Sequence, residues 1–427
     1  MTRVAAFILI GIAVLAATLF LARDLLPPER ARFAAGPEGG GYWRFAEEYR
    51  DILARDDIEL ELVATRGSVE NAGLLAAGAV DAGLLQGGVM PEDGVQLEAL
   101  TSVFVEPLLV FAGPEASVPP NPARWDGLAI AAGPEGSGAR AAATVLLEAV
   151  GAAGENTLLP MGGADAASAL MAGEAEAALF VAPLSAAYLA PLLEGEARLV
   201  PFDHPAALSR RMPHSILLDV PSGAFSLDPP LPPRDQAMVG LVARMVARPG
   251  LHPAAVDRLV EAARAVHGSG DLLTPEGRFP SMEATDLPPD SYARDLLADG
   301  PGPLASVAPY WVNAQISRIV ILALPAIILL LPLFRTLPGL YRWRIRSRVF
   351  RHYGRLREID METGRTSDPQ TLTLLETELD DIERTIAATS LPLPYRDYAY
   401  QARIHIDHIR RRIADARGGG QGQATGR

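Results

Sequence analysis

The chain has 427 residues, a net charge of -13, 39 Gly, 36 Pro and no Cys. That length accommodates two lobes with cores of their own. The missing Cys excludes disulfides, thiolate zinc sites, a Cys nucleophile and lipoprotein anchoring through an N-terminal Cys. No Lys occurs either, so all 38 basic residues are Arg, which excludes Schiff-base chemistry and a P-loop lysine. Charge is uneven. Residues 24–334 carry 19 Arg against 39 acids, whereas residues 335–427 carry 17 Arg against 12. An acidic body argues against nucleic acid as a partner.

Residues 4–22 form an uninterrupted apolar run between Arg3 and Arg23. At helical rise they reach roughly 28 Å, close to the ~30 Å of a bilayer core. Phe20 occupies the -3 position of the natural cleavage point, so the run reads as an uncleaved anchor rather than a removed signal.

The body repeats itself. AAGPEG at 34–39 recurs at 131–136, and NAGLLAAGAVDAGLL (71–85) aligns with AASALMAGEAEAALF (166–180) at nearly the same offset. Each copy reads strand, Gly-rich turn, helix, second helix ending in Gly, apolar strand. This order predicts two similar α/β lobes with parallel strands and covering helices. The turns PEGGGYW (37–43) and PEGSGA (134–139) precede the first helix of each copy. Glycine permits close backbone approach, and a helix N-terminus offers free N–H groups with partial positive charge. Two facing lobes then aim two such N-termini into one cleft, suited to a carboxylate-bearing solute. Gly40, Gly41, Tyr42, Ser137, Gly138 and Ala139 are the candidate contacts. A third turn, ATRGSVEN (64–71), adds Thr65, Arg66, Gly67 and Ser68, with Ser68 a candidate N-cap for a helix over 69–77. Gln86 closes an apolar strand at the same sheet edge. Arg66 and Arg140 either add cations to the pocket or point to solvent. Neither turn has the spacing of an ATP or dinucleotide loop.

Beyond the body, residues 316–337 hold an uncharged stretch (319–334) between Arg318 and Arg335, flanked by aromatic residues, and predict a second span. Seven arginines between 342 and 357 follow and belong on the cytoplasmic side. Both termini are then cytoplasmic and the body extracytoplasmic, at a bacterial inner membrane. In the tail, Leu372, Leu375, Leu379, Ile382 and Ile386, then Ala402, Ile406, Ile409 and Ile413, step by three and four and predict an antiparallel helical hairpin. His405 and His408 have ligand spacing but sit on an Arg-rich helix, so a solvated face is favoured over a metal site. No catalytic constellation, metal site or cofactor motif is present.

In the runs GGGYW (39–43), TRGSVENAGLLAAGAVDAGLLQ (65–86) and GPEGSGARAAATVLLEAVG (133–151), the chain resembles the TAXI family of extracytoplasmic solute receptors. The resemblance covers roughly 31–290. Residues 299–311 and the segment after them are similar to a membrane-tethered subset of that family. It implies a type II periplasmic-binding fold, a small anionic solute of the amino-acid or carboxylate class, and a TRAP-type permease as partner. The chain departs from the family at Arg66, at Ala139 and at Gly87-Gly88. The expected division is an anchor (1–27), lobe one (28–112 and 203–300), lobe two (113–202), a linker (301–315), a transmembrane helix (316–340), a cytoplasmic helical tail (341–417) and a disordered end (418–427). The function expected is solute capture by lobe closure, without catalysis. The alternative is a transmembrane sensor signalling through the tail.

Overall fold

The computed structural model describes residues 25–92, 94–302, 307–390 and 392–422, together with residues 13, 16, 17 and 20. The anchor expected at 4–22 therefore lies almost wholly outside the described residues. Two compact units emerge, one over residues 22–320 and one comprising 1–21 with 321–427.

In the larger unit the duplicated sequence becomes a duplicated structure. The first copy is β1 (Arg30–Gly36), α1 (Gly41–Leu53), β2 (Glu59–Ala64), α2 (Ser68–Ala76) and β3 (Ala82–Leu85). After β4 (Glu98–Ala112) comes the second: β5 (Ala129–Ala131), α3 (Gly138–Val150), β6 (Thr157–Leu159), α4 (Gly163–Met171) and β7 (Ala177–Val181). In each copy the first strand lies parallel between the other two. Even the register repeats: Ala34 pairs with Gly83, and Ala131 with Ala178. Helix α1 buries Phe45, Ala46, Tyr49 and Leu53, a face at helical spacing. Strands β3, β5 and β7 are short apolar runs, as parallel strands covered on both faces are, whereas the edge strand β2 alternates exposed Glu59 and Glu61 with inward-facing Leu60.

Two long antiparallel strands join the copies. The sheet order is β2-β1-β3-β12-β4-β7-β5-β6, where β12 is Gln236–Ala247. Strand β4 pairs with β12 through Pro107 and with β7 from Leu108 onward, so one strand serves both lobes. Between them lie β8 (Arg198–Leu199), α5 (Pro205–Arg211), β9 (Ser215–Val220) and the small hairpin of β10 (Ser226–Leu227) and β11 (Pro230–Leu231). The expected return to lobe one at residue 203 needs correction. Leu208, Met212 and Val239 share a core with Leu146 of α3, and Leu218, Val220 and Met238 share one with Phe180 of β7. The chain re-enters lobe one only along β12, because β9 and the first half of β12 supply apolar side chains that the second lobe buries.

Lobe one is completed by α6 (Pro253–His267), α7 (Ser291–Asp299) and α8 (Tyr310–Ala314). Its core holds an unusual group. His267 is 8% exposed, meets the Tyr49 hydroxyl at 2.5 Å, and lies 4.7 Å from the Phe45 ring and 5.1 Å from Phe104. Burial, aided by the positive charge of Arg44, pushes its pKa down to about 3. Below pH ~6.5 the unfolded chain takes up a proton that the folded one refuses, so stability falls as pH drops towards ~3, by about 5 kcal/mol in total. His267→Gln, neutral throughout, is expected to flatten this acid limb. Urea midpoints at pH 7 and pH 4 check it; an unchanged difference between the two would count against the assignment.

The second unit is helical. Helix α9 (Ile316–Phe350) runs without a break from the expected span into the arginine cluster. The boundary expected near 340 is therefore absent, since Arg is a good helix former and a single Gly does not stop a helix. Among the described residues no helix is long and apolar enough to cross a membrane. Helices α10 (Tyr353–Thr363), α11 (Pro369–Ala388) and α12 (Arg396–Gly422) follow. Leu372, Leu375, Leu379, Ile382 and Ile386 of α11 and Ala402, Ile406, Ile409 and Ile413 of α12 are all buried, with Leu356 and Ile359 of α10 as a third contributor. Arg410 reaches Asp380 and Glu383 while Arg417 reaches Glu376, which makes α11 and α12 antiparallel. The hairpin is thus part of a three-helix core. Helix α12 also extends through residues 418–422, where a disordered end was expected, propagating from packed turns into glycines that propensity alone would exclude. Residues 423–427 lie outside the described residues.

Candidate functional site

The two copies of the repeat face one another across a cleft of about 500 Å³. Gly40, Gly41, Tyr42, Thr65, Arg66, Gly67, Ser68, Gln86, Ser137, Gly138 and Ala139 all line it. Arg140 does not. Its guanidinium donates to the carbonyls of Leu158 and Leu159 at 2.9 and 3.4 Å, tying α3 to β6.

Helix N-termini supply the cleft's positive ends. Helix α1 begins at Gly41 after Gly40, and α4 at Gly163 after Gly162; neither has a side-chain cap. Helix α3 begins at Gly138, and Ser137 caps only the Arg140 N–H, at 3.2 Å. Free amides there favour negative charge. Helix α2 behaves differently, because its Val69 and Glu70 N–H groups donate to the Gly136 carbonyl of the opposite lobe, each at 3.2 Å. Ser68 is its first residue rather than its cap; Gly67, at φ 133, holds that place. The Ser68 hydroxyl accepts the Gln86 N–H at 2.9 Å instead.

Side chains also join the lobes. Gln86 Nε2 donates to the Gly138 carbonyl at 3.1 Å, and Arg44 donates to the Ser185 carbonyl and hydroxyl. Arg66 answers the alternative left by its sequence. Its guanidinium lies against Gly136 of the second lobe and lines the cleft, while its Nε pairs with Glu70 at 2.9 Å. A Cβ at Gly138 would stand 2.5 Å from Gln86 Oε1, so a side chain there would push the Gln86 amide off the Gly138 carbonyl. Thr65 is 8% exposed and bonded to Asn71 and to the Gly67 N–H, so it shapes the turn.

Sequence reasoning missed two contributors. The first is the start of α4: Gly162, Gly163, Ala164 and Asp165 line the cleft. Shifted by the 95 residues of the repeat, they correspond to Gly67, Ser68, Val69 and Glu70, so the alignment of the two copies carried the signal. The second is Glu106, in the apolar strand β4. It is 1% exposed, lines the cleft and accepts the Tyr42 hydroxyl at 2.7 Å on Oε2. Burial pushes its pKa up to about 8, partly offset by that hydrogen bond. Tyr42 and Tyr188 are raised too, by burial first and then by Glu106. Beneath Gln86, the fully buried Arg244 donates to the carbonyls of Gln86 and Val89 at 2.7 and 2.9 Å and pairs with Asp286. It fixes the end of β3 from which Gln86 projects. Among the described residues no group of three or more His, Asp or Glu is placed to hold a metal ion.

No curated protein matches the chain. Among solved structures, the alkanesulfonate-binding protein SsuA from Xanthomonas axonopodis pv. citri, bound to MOPS, is 16% identical, covering 57% of this chain and 81% of its own, with a TM-score of 0.36. The lipoprotein Tp32 from Treponema pallidum is 16% identical over 55% of this chain and 90% of its own, at 0.33. The BenM effector-binding domain with benzoate is 15% identical over 56% and 91%, at 0.36. The profile of the NMT1-like family matches residues 33–206, a stretch that takes in both copies of the repeat and the cleft residues on each.

Proposed function

We propose that the chain is a two-lobed receptor that captures a small organic anion, of the amino-acid or carboxylate class, by closing its lobes around the cleft. It acts by binding rather than catalysis. The observation that carries the reading is the convergence of three helix N-termini, those of α1, α3 and α4, on one cleft of a duplicated scaffold. The resemblance to TAXI receptors extends the proposal to delivery of the solute to a TRAP-type permease. Denaturing the purified full chain and weighing the small molecules it releases tests the reading. A stoichiometric anion supports it; a chain that retains only cations speaks against it.

Attachment to a bacterial inner membrane through residues 4–22 and 316–337 belongs to the same proposal, supported by their apolar runs and the arginines after the second. A reporter fused after residue 427 is expected on the cytoplasmic side and one near residue 300 outside it. Both reporters on one side would defeat the two-span arrangement. The three-helix core of the tail favours a second reading, a sensor, because solute delivery alone has no use for a folded module there. Removing residues 353–427 would leave uptake intact under the first reading and abolish signalling under the second.

A further inference from the structure

The cleft that welcomes an anion also contains a buried carboxyl group, and the two demands conflict unless that group is neutral. Glu106 sits on β4 with 1% of its surface exposed. Among the described residues no arginine pairs with it. The groups facing it are the hydroxyl-bearing Tyr42 from α1 and Tyr188 from the segment after β7. On β12, Arg244 is committed to Asp286 and to two carbonyls. The remaining charged groups on the cleft wall are Glu38, Asp165 and Arg66, the last already paired with Glu70. An ionised Glu106 would therefore place an uncompensated negative charge in the compartment meant for a negative solute, at low dielectric.

We infer that Glu106 holds the solute as a neutral acid, its own O–H donating to an oxygen of the bound anion, so that capture retains a proton. The inference rests on the anionic-solute reading above and adds to it the group that reads the far end of the ligand. The geometry assigns the proton. Tyr42 donates to Oε2, so the acid hydrogen belongs on Oε1, which remains for the solute. The occupant's inner end is accordingly an acceptor oxygen (carboxylate, carbonyl or hydroxyl) and not an ammonium, which would stabilise the carboxylate form, so that the Glu106 proton would leave to solvent and a charge pair would form. The elevated pKa caused by burial agrees with this assignment.

The two chemistries differ in the sign of their pH dependence. With a neutral acid, affinity for an oxygen-only anion falls as pH rises through the region where Glu106 ionises, about tenfold per unit above it. With a carboxylate–ammonium pair, affinity rises over the same range. The experiment uses the full chain, with glutarate and L-glutamate as probes of equal length without and with an ammonium, titrated by calorimetry from pH 6 to pH 9.5. Glutarate is expected to weaken more than tenfold between pH 7 and pH 9.5. In Glu106→Gln that slope disappears, and Glu106→Leu binds glutarate about tenfold more weakly than Glu106→Gln because it lacks a donor. Preference for L-glutamate that grows with pH overturns the inference. Carbon-13 NMR of δ-labelled glutamate supplies an arm that needs no ligand. One carboxyl, absent in Glu106→Gln, should titrate near pH 8, and titration of that carboxyl below pH 6 also overturns the inference. Failure of both probes to bind beside a carboxyl titrating near pH 8 would count against the solute class and leave the neutral acid standing.

Discussion

Glu106→Gln is expected to make the folded chain more stable by about 3 kcal/mol at pH 7, and by about 5 kcal/mol above pH 8. In the folded chain this carboxyl ionises only near pH 8, against 4.5 for an ordinary glutamate, because burial penalises its charged form. Below pH ~4.5 both states are protonated and the group costs nothing. Between there and pH ~8 the unfolded chain releases a proton that the folded chain keeps, so stability falls with rising pH. Above that range the slope ends. Glutamine keeps the shape and still accepts the Tyr42 hydroxyl, but it has no proton to lose. Urea midpoints followed by the fluorescence of Trp43 and Trp125, from pH 5 to pH 9, would register the effect. Parallel curves for the two proteins would show that Glu106 ionises freely in the fold. Under the proposed function, a cost of this kind in the cleft is stability given up where binding needs a particular group.

Gly41→Val is expected to hold the lobes apart. A Cβ at Gly41 would stand 2.5 Å from Cγ and 2.9 Å from Cδ of Pro183, on the opposite lobe. The clash falls between lobes and not within one, so each lobe keeps its core while their approach is blocked. Overpacking of this kind costs about 1–3 kcal/mol, which predicts a loss of solute affinity of roughly 5- to 150-fold. Scattering from the purified chain should report a larger radius of gyration, with the secondary structure of each lobe unchanged. Gly40→Val serves as the comparison, because its Cβ would meet Pro37 of its own turn, at 3.0 Å from the carbonyl oxygen. That substitution disturbs the loop and leaves the interlobe contact alone. If Gly41→Val stays compact and retains its solute, the Gly41–Pro183 contact has no part in closure.

Much of the architecture was legible because it is local or repeated. Strand, turn and helix followed from hydrophobic periodicity and from Gly-rich punctuation. The 95–97-residue repeat implied two lobes, and the shared register of Ala34–Gly83 and Ala131–Ala178 is its counterpart in the sheet. The buried faces of α11 and α12 were read residue by residue from steps of three and four. Where the sequence misled, the deciding contacts were distant. The sequence alone suggests a return to lobe one at 203, because no local pattern marks β9 and the first half of β12 as belonging to the second core. The Arg-rich segment looked like a separate helix because composition changes near 340 although the backbone does not.

For the cleft, the sequence by itself determined which backbone segments meet, since glycine turns before helices are local signals. It could not rank the side chains. Arg66 and Arg140 look alike on paper, yet one lies across the lobe boundary while the other spends its guanidinium on the carbonyls of β6. Glu106 is an isolated carboxylate in the apolar middle of β4, with no motif around it. Only the tertiary structure brings Tyr42 from 64 residues away onto its Oε2 and removes water from the carboxyl. Charge, protonation and capping depend on what surrounds a group in space, and burial is a sum over the whole fold; periodicity along the chain carries no record of it.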